Sequence, residues 1–578
     1  MTVKRLDFGF FALCLSLAPL APGLAAAPAP VEAEHGMVVT AEKLASQVGA
    51  DVLKKGGNAF DAAVAVGYAL AVVWPEAGNI GGGGFMTLRT ADGKTNFIDF
   101  RERAPKAASA NMYLDAQGNV VKGASTDGYL AVGVPGTVAG LERVRETYGT
   151  LSRAALLEPA IRLAHDGFVL SQGDAASFKA EAEKLRKDPA AAAIYLGADG
   201  KPRKTGETLT QPDLAASLTA IAQQGSDAFY KGAIADAIVK ASQAKGGILT
   251  KADFETYKVR EFKPVTCSYR GYEIVSAPPP SSGGVVVCQI LNVLEGYPLA
   301  KFGPGSAETV HVMAEAMRAA YADRNASLGD PDFIKNPVDH LTDKKYAGEI
   351  RARIRPDRAG KSTLPASMKA VEPKHTTHYS IIDDAGNMVG VTYTLNDNFG
   401  TGVVAPGTGI LMNNEMDDFT SKPGVPNLYG LVQGEANAIA PGKTPLSSMS
   451  PTVITKDGKP FMVIGSPAGS RIPTIVLEAI VNVVDFGMTI QEAIDSPRIH
   501  HQWLPDEILT EPYALSADTL KILGKMGYNV HLDADWPVWG YGAGILVGGK
   551  NLAEIGKGGA RYNGAMDSRA AAGAAVGY

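Results

Sequence analysis

Two runs of β-forming residues, from about Thr377 to Asp383 and from Met388 to Leu395, flank the turn-rich Asp383-Asp384-Ala385-Gly386-Asn387. That pattern predicts a β-hairpin. Side chains two apart in a strand share a face, so Thr392 and Thr394 point the same way, alongside the start of the first strand. Upstream, a helical pattern starts after Thr40, read as its N-cap, and stops at Gly56-Gly57. Ala59 to Trp74 is apolar apart from Asp61, which predicts a buried core helix too short to span a membrane. Gly81-Gly82-Gly83-Gly84 then opens a strand, Phe85 to Arg89, and a second strand around Asn96 to Phe100 ends in Arg101-Glu102-Arg103. The glycines let backbone approach a ligand or a neighbouring strand, and the two readings stand equal.

From about residue 135 to 350 the chain is helix-rich, with patterns over Gly136–Tyr148, Leu151–His165, Pro212–Gln224 and Ala307–Tyr321. A strand pair is predicted over Lys263–Ser276, and Pro278-Pro279-Pro280-Ser281-Ser282-Gly283-Gly284 turns into a further helix. For the three prolines a rigid turn competes with a recognition segment. Beyond the hairpin, strands over Thr452–Thr455 and Phe461–Ile464 lead through Gly465-Ser466-Pro467-Ala468-Gly469-Ser470 into a helix near Ile472. Such alternation fits a layered α/β protein, with the order of layers left open.

Composition narrows this little. At 578 residues the length allows roughly four domains, and 46% hydrophobic with 20% charged residues is ordinary for a globular protein. A net charge of −5 gives no reason to expect nucleic acid. Nine histidines fall without a metal-ligand spacing, and no cofactor or metal is expected. Gly400 to Ala405 matches a dinucleotide fingerprint, but Pro406-Gly407 follows instead of a helix, which removes that reading. Residues 1–27 carry Lys4 and Arg5, an apolar run from Phe8 to Leu20 and small residues to Ala27, the pattern of a signal peptide. The mature protein is therefore expected in the periplasm or secreted, with no membrane attachment once the signal is removed. Cys267 and Cys288 remain after that cut, and a disulfide and two buried thiols are equally consistent with them. Ile354 to Lys374 is charged and weakly patterned, a flexible segment ahead of Thr376.

Chemistry concentrates at the hairpin, where five threonines (Thr376, Thr377, Thr392, Thr394, Thr401) fall within 26 residues. A threonine hydroxyl at the start of a strand can attack the preceding peptide bond, here His375–Thr376. The ester then hydrolyses and leaves Thr376 with a free α-amine of pKa about 7.7–8.0, basic enough to serve the next attack. The β-branch restricts χ1 and keeps the Oγ aimed.

At these residues the chain resembles the γ-glutamyltranspeptidases: Thr376-Thr377-His378-Tyr379-Ser380, Thr392-Tyr393-Thr394-Leu395-Asn396 and Phe399-Gly400 look like the start of that family's small subunit. The likeness runs from about residue 35 nearly to the C-terminus. It implies the four-layer αββα sandwich of N-terminal-nucleophile hydrolases, built jointly by a large subunit (28–375) and a small one (376–578) that stay together as a heterodimer. It also implies roles. Thr376 is the nucleophile, Thr394 orients its amine, and the N–H groups of Ala468 and Gly469 hold the oxyanion. Arg101, with Ser447 and Ser448, grips the substrate α-carboxylate, for which a guanidinium fork is well shaped. Glu415 and Asp418, helped by Asn396, hold the α-ammonium opposite, and Tyr429 closes the pocket from the Pro423–Gly430 loop as a lid. The family has two glycines where this chain has Ala468-Gly469, so Ala468 serves only if its backbone angles suit a residue with a Cβ.

The implied reaction moves a γ-glutamyl group from glutathione or a related compound, through a threonine ester, to water or to an amino acid or dipeptide. Two rivals stand beside it: an acylase of the same fold acting on another amide, such as a cephalosporin side chain, and an exported binding protein that never cuts itself.

Overall fold

The computed structural model describes residues 27–363, 376–533 and 539–578. All but the last residue of the segment read as a signal peptide (1–27), the second half of the pre-threonine segment and His375 lie outside the described residues.

Two seven-stranded antiparallel sheets lie face to face. One runs Ala574–Gly577, Met37–Thr40, Thr377–Ile382, Met388–Thr394, Gly83–Arg89, Thr95–Asp99 and Arg260–Phe262. The other runs Val31–Ala33, Tyr562–Met566, Ala543–Val547, Lys459–Gly465, Thr452–Lys456, Tyr272–Ser276 and Val265–Tyr269. Helices Lys43–Lys54 and Ala59–Val73 cover the outer face of the first sheet, and Gly283–Leu294, Ile472–Val484 and Ile490–Asp495 cover that of the second. This is the four-layer αββα order, which strand and helix alternation alone left open.

The predicted hairpin forms with Thr377 paired to Tyr393 and His378 to Thr392, and it occupies the middle of its sheet. Each sheet draws strands from both sides of residue 376, so a cut there leaves two chains sharing both hydrogen-bonded ladders. The C-terminal stretch, for which the sequence suggested no role, supplies a strand to each sheet: Tyr562–Met566 and Ala574–Gly577.

Helix Ala59–Val73 is buried along its whole length. Its one charge is used at the N-terminus: Asn58 caps the first turn, and Asp61 accepts from the Thr150 backbone N–H and hydroxyl. One boundary is corrected. Thr40 ends a strand, and Glu42 caps the next helix through the Leu44 and Ala45 N–H groups. The Glu42 carboxylate offers a stronger acceptor than the threonine hydroxyl two residues earlier. Cys267 and Cys288 are joined in a disulfide. Among the described residues no helix is long and apolar enough to cross a membrane.

Candidate active site

The hairpin has one apolar face and one polar face, and both are buried. On the apolar side Tyr379 and Tyr393 lie against helix Ala59–Val73, donating their hydroxyls to the carbonyls of Ala63 and Gly67. The polar side faces the second sheet. There the two ring nitrogens of His378 lie 2.8 Å from Thr392 Oγ1 and 3.0 Å from Ser380 Oγ. Burial draws the His378 pKa down to about 3, which keeps the ring neutral as a hydrogen-bonded spacer. Gly465 of the opposite sheet makes room for it, since a Cβ there would sit 2.2 Å from the ring.

Thr376 lies one residue before the first pair, Thr377 with Tyr393, and so level with Thr394. Both threonines line a small cavity of about 20 Å³. Thr394 Oγ1 accepts the Asn396 N–H at 2.8 Å, and its carbonyl accepts Asn79 Nδ2 at 2.9 Å. The four glycines explain themselves by packing: a Cβ would fall 2.0 Å from the Leu411 carbonyl at Gly81, 2.1 Å from the Thr394 carbonyl at Gly82 and 2.5 Å from the Phe100 carbonyl at Gly83. They allow the strand to nest against its neighbours and do not line the cavity.

One side of the cavity is charged. Arg101 is 1% exposed, its backbone fixed by Asp99 and by the Tyr257 hydroxyl. Its guanidinium pairs with Glu415 at 2.5 Å and with Asp418. The sequence reading set these carboxylates opposite the arginine. The structure brings all three into one ion-pair cluster, in which the buried guanidinium is offset by the two carboxylates. Burial alone would lower the Arg101 pKa, but Glu415 and Asp418 hold it above its ordinary value. Burial raises both carboxyls, with Arg101 opposing, and raises neighbouring Glu102 to about 7.

On another side Tyr429 spans the cavity, its hydroxyl 2.7 Å from both O and Oδ1 of Asn396 and its ring against Gly469. Ser447 and Ser448 close a further side. Their loop is held by the buried proline turn: Ser447 N–H donates to the Pro280 carbonyl, and Ser282 N–H to the Ser447 carbonyl. The Pro278–Gly284 stretch is therefore an internal brace, and the recognition-segment reading falls because the turn is buried.

The turn before helix Ile472–Val484 carries Ala468 at φ +127° and Gly469 at φ +51°. The condition set for Ala468 is not met, since +127° is a conformation that residues with a Cβ rarely adopt. Gly469 lines the cavity and Ala468 does not. Among the described residues neither N–H donates to another group.

A family model described as gamma-glutamyltranspeptidase matches residues 45–577. The chain belongs to the γ-glutamyltranspeptidase family. Within it, the glutathione hydrolase proenzyme of Pseudomonas sp. (strain A14) is 58% identical over 555 residues, covering 96% of each chain. The glutathione hydrolase proenzyme of Escherichia coli (strain K12) is 51% identical over 505 residues, covering 87% of each. Among solved structures, the cephalosporin acylase from Bacillus halodurans matches with a TM-score of 0.82 at 27% identity, covering 98% of this chain and 99% of that one.

In this γ-glutamyltranspeptidase-family chain, the residues singled out in the sequence for catalysis and binding meet around one cavity, except Ala468, which does not line it, and His375, which is outside the described residues. Apolar Leu431, Met449 and Ile472 complete the lining, and one charged lining residue was missed. Arg324 sits on helix Ala307–Ser327, just under one turn beyond Tyr321, where the apolar pattern gave out. Its burial at 1% exposure was the missing signal, and an arginine in a polar helix end reads as solvated.

Proposed function

We propose that the chain is a self-processing γ-glutamyltranspeptidase that cuts before Thr376 and then uses that residue as nucleophile on glutathione and related γ-glutamyl compounds. The observation that carries this reading is the meeting of Thr376 and Thr394 with Arg101, Glu415 and Asp418 around one cavity, in a chain of this family. The large and small subunits, 28–375 and 376–578, work as one heterodimer after residues 1–27 direct export to the periplasm or medium.

In the cycle, Thr376 Oγ attacks the γ-carbonyl and its own α-amine takes the proton. Thr394 orients that amine. The N–H of Gly469 meets the oxyanion. The leaving amine departs with the proton, and water or the amine of an amino acid or dipeptide then attacks the γ-glutamyl-threonine ester. Substrate binding exchanges partners within the ion-pair cluster: Glu415 and Asp418 turn to the α-ammonium, with Asn396 beside them, and Arg101 is released to the α-carboxylate with Ser447 and Ser448. Tyr429 covers the bound group. No step calls for a cofactor.

An acylase acting on a different amide is the second reading, favoured by the structural likeness to a cephalosporin acylase. The buried cluster of two carboxylates and a guanidinium argues for a zwitterionic substrate end instead. The test is to quench the enzyme during turnover of a γ-glutamyl donor and weigh the fragment that begins at Thr376. The proposal expects a mass gain of one γ-glutamyl group on Thr376, and a Glu415→Ala enzyme that has lost most of its kcat/KM. An unmodified fragment together with full Glu415→Ala activity would favour the acylase.

A further inference from the structure

Two guanidiniums border the cavity, and the protein treats them differently. Arg101 is paired with two carboxylates. Arg324, just as buried, makes no ion pair among the described residues. Its Nε donates to Ser282 Oγ at 2.9 Å, its Nη1 to Asn325 Oδ1 at 2.8 Å and its Nη2 to Ser448 Oγ at 3.0 Å. All three acceptors are neutral. Burial accordingly draws its pKa down to about 10, with Tyr321 and Asp418 opposing through space.

A buried cation with no anion is costly, and a substrate carboxylate beside it would supply the missing charge. The geometry also fixes a hydroxyl. Arginine is donor-only, so Ser448 Oγ must accept from it, and the single Ser448 proton is turned away from Arg324. Ser282, held by the same guanidinium, donates to the Ser447 carbonyl at 2.7 Å, so one side chain braces both serines.

We infer that Arg324 is a positioning and specificity-determining residue: acting through Ser448, it presents a donor hydroxyl and an unneutralised positive charge to the α-carboxylate of the substrate. This rests on the γ-glutamyl reading and deepens it. It divides the work between two arginines. Arg101 must first give up its carboxylates, whereas Arg324 has none to release.

The test compares two chromogenic donors, γ-glutamyl-p-nitroanilide and its α-carboxamide counterpart, in wild type, Arg324→Lys and Arg324→Gln. Self-cleavage into two chains serves as the check of folding. A hydrogen bond to a charged group sets the scale at roughly tenfold to a hundredfold. The expected result is a KM for the carboxylate donor raised about tenfold in Arg324→Lys and nearer a hundredfold in Arg324→Gln, with kcat nearly unchanged, while the carboxamide donor responds about threefold or less. Because the effect passes through Ser448, the penalties of Arg324→Lys and Ser448→Ala should be less than additive. Equal losses on both donors would overturn the inference and leave Arg324 a structural tie between helix and loop. Normal KM in both variants would overturn it as well. A wild-type enzyme that turns over neither donor would instead remove the γ-glutamyl reading beneath it.

Discussion

Gly82→Ala tests whether the glycine run positions the site. Gly82 lies before strand Gly83–Arg89, with its carbonyl accepting from Gly136 and Thr137 and its N–H donating to Asn79 Oδ1. A Cβ there would stand 2.1 Å from the Thr394 carbonyl and 2.8 Å from Asn79 Oδ1. The first is the acceptor of the hydrogen bond that fixes Thr394, and the second belongs to the side chain whose Nδ2 donates it. Cβ atoms do not approach closer than 3.0 Å, so the backbone of Thr394 must retreat by at least about 0.9 Å. Overpacking of this kind costs roughly 1–3 kcal/mol in stability. A displacement near 1 Å of a residue that aims the nucleophile costs on the order of a hundredfold in rate, about 2.7 kcal/mol in the barrier. The assay is kcat/KM for γ-glutamyl-p-nitroanilide together with the rate at which freshly made precursor cuts itself. Both should fall. Gly524→Ala is the control: it lies in helix Ala517–Met526 with open space around it, so activity should hold and stability rise by about 0.5–1 kcal/mol. A Gly82→Ala enzyme with wild-type kcat/KM would refute the claim that this glycine sets the place of Thr394.

Two further outcomes follow from the buried interior. His378 has its folded-state pKa drawn from 6.5 to about 3, so its contribution is complete above pH 6.5 and is lost as pH falls towards 3. In the uncut Thr376→Ala background, replacing His378 with Gln should therefore remove about 1 kcal/mol of the stability change between pH 7 and 5.5, measured as urea unfolding at both pH values; an unchanged pH dependence would contradict the neutral-spacer role. Reducing the Cys267–Cys288 bridge, which closes a separation of 21 residues, should lower stability by about 3 kcal/mol in the same assay, and identical midpoints with and without reductant would count against it.

Much of the site was legible because its residues fall in short stretches with strong local chemistry. The hairpin was readable from its turn, and helix Ala59–Val73 from an unbroken apolar run. What stayed hidden depends on distant partners. Val31–Ala33 pairs with Tyr562–Met566 from the far end of the chain, and no local pattern announces such a ladder. The polar face of the hairpin misleads as well, since His378, Ser380 and Thr392 suggest solvent in a strand yet lie between two sheets. Arg324 was missed because an arginine's burial is decided by tertiary packing alone. The ion pairs of Arg101 with Glu415 and Asp418 escaped because they join residues far apart in sequence, which no local pattern announces. The strain at Ala468 is a backbone property that residue identity raised as a question and only the structure answered.

The central claim is that Thr376 cuts the chain before itself and then serves as the nucleophile. Intact mass under denaturing conditions, on purified mature protein beside its Thr376→Ala variant, tests it most directly. The account predicts two fragments in the wild type, one beginning at Thr376, and a single uncut chain in the variant. One full-length chain in both would contradict it.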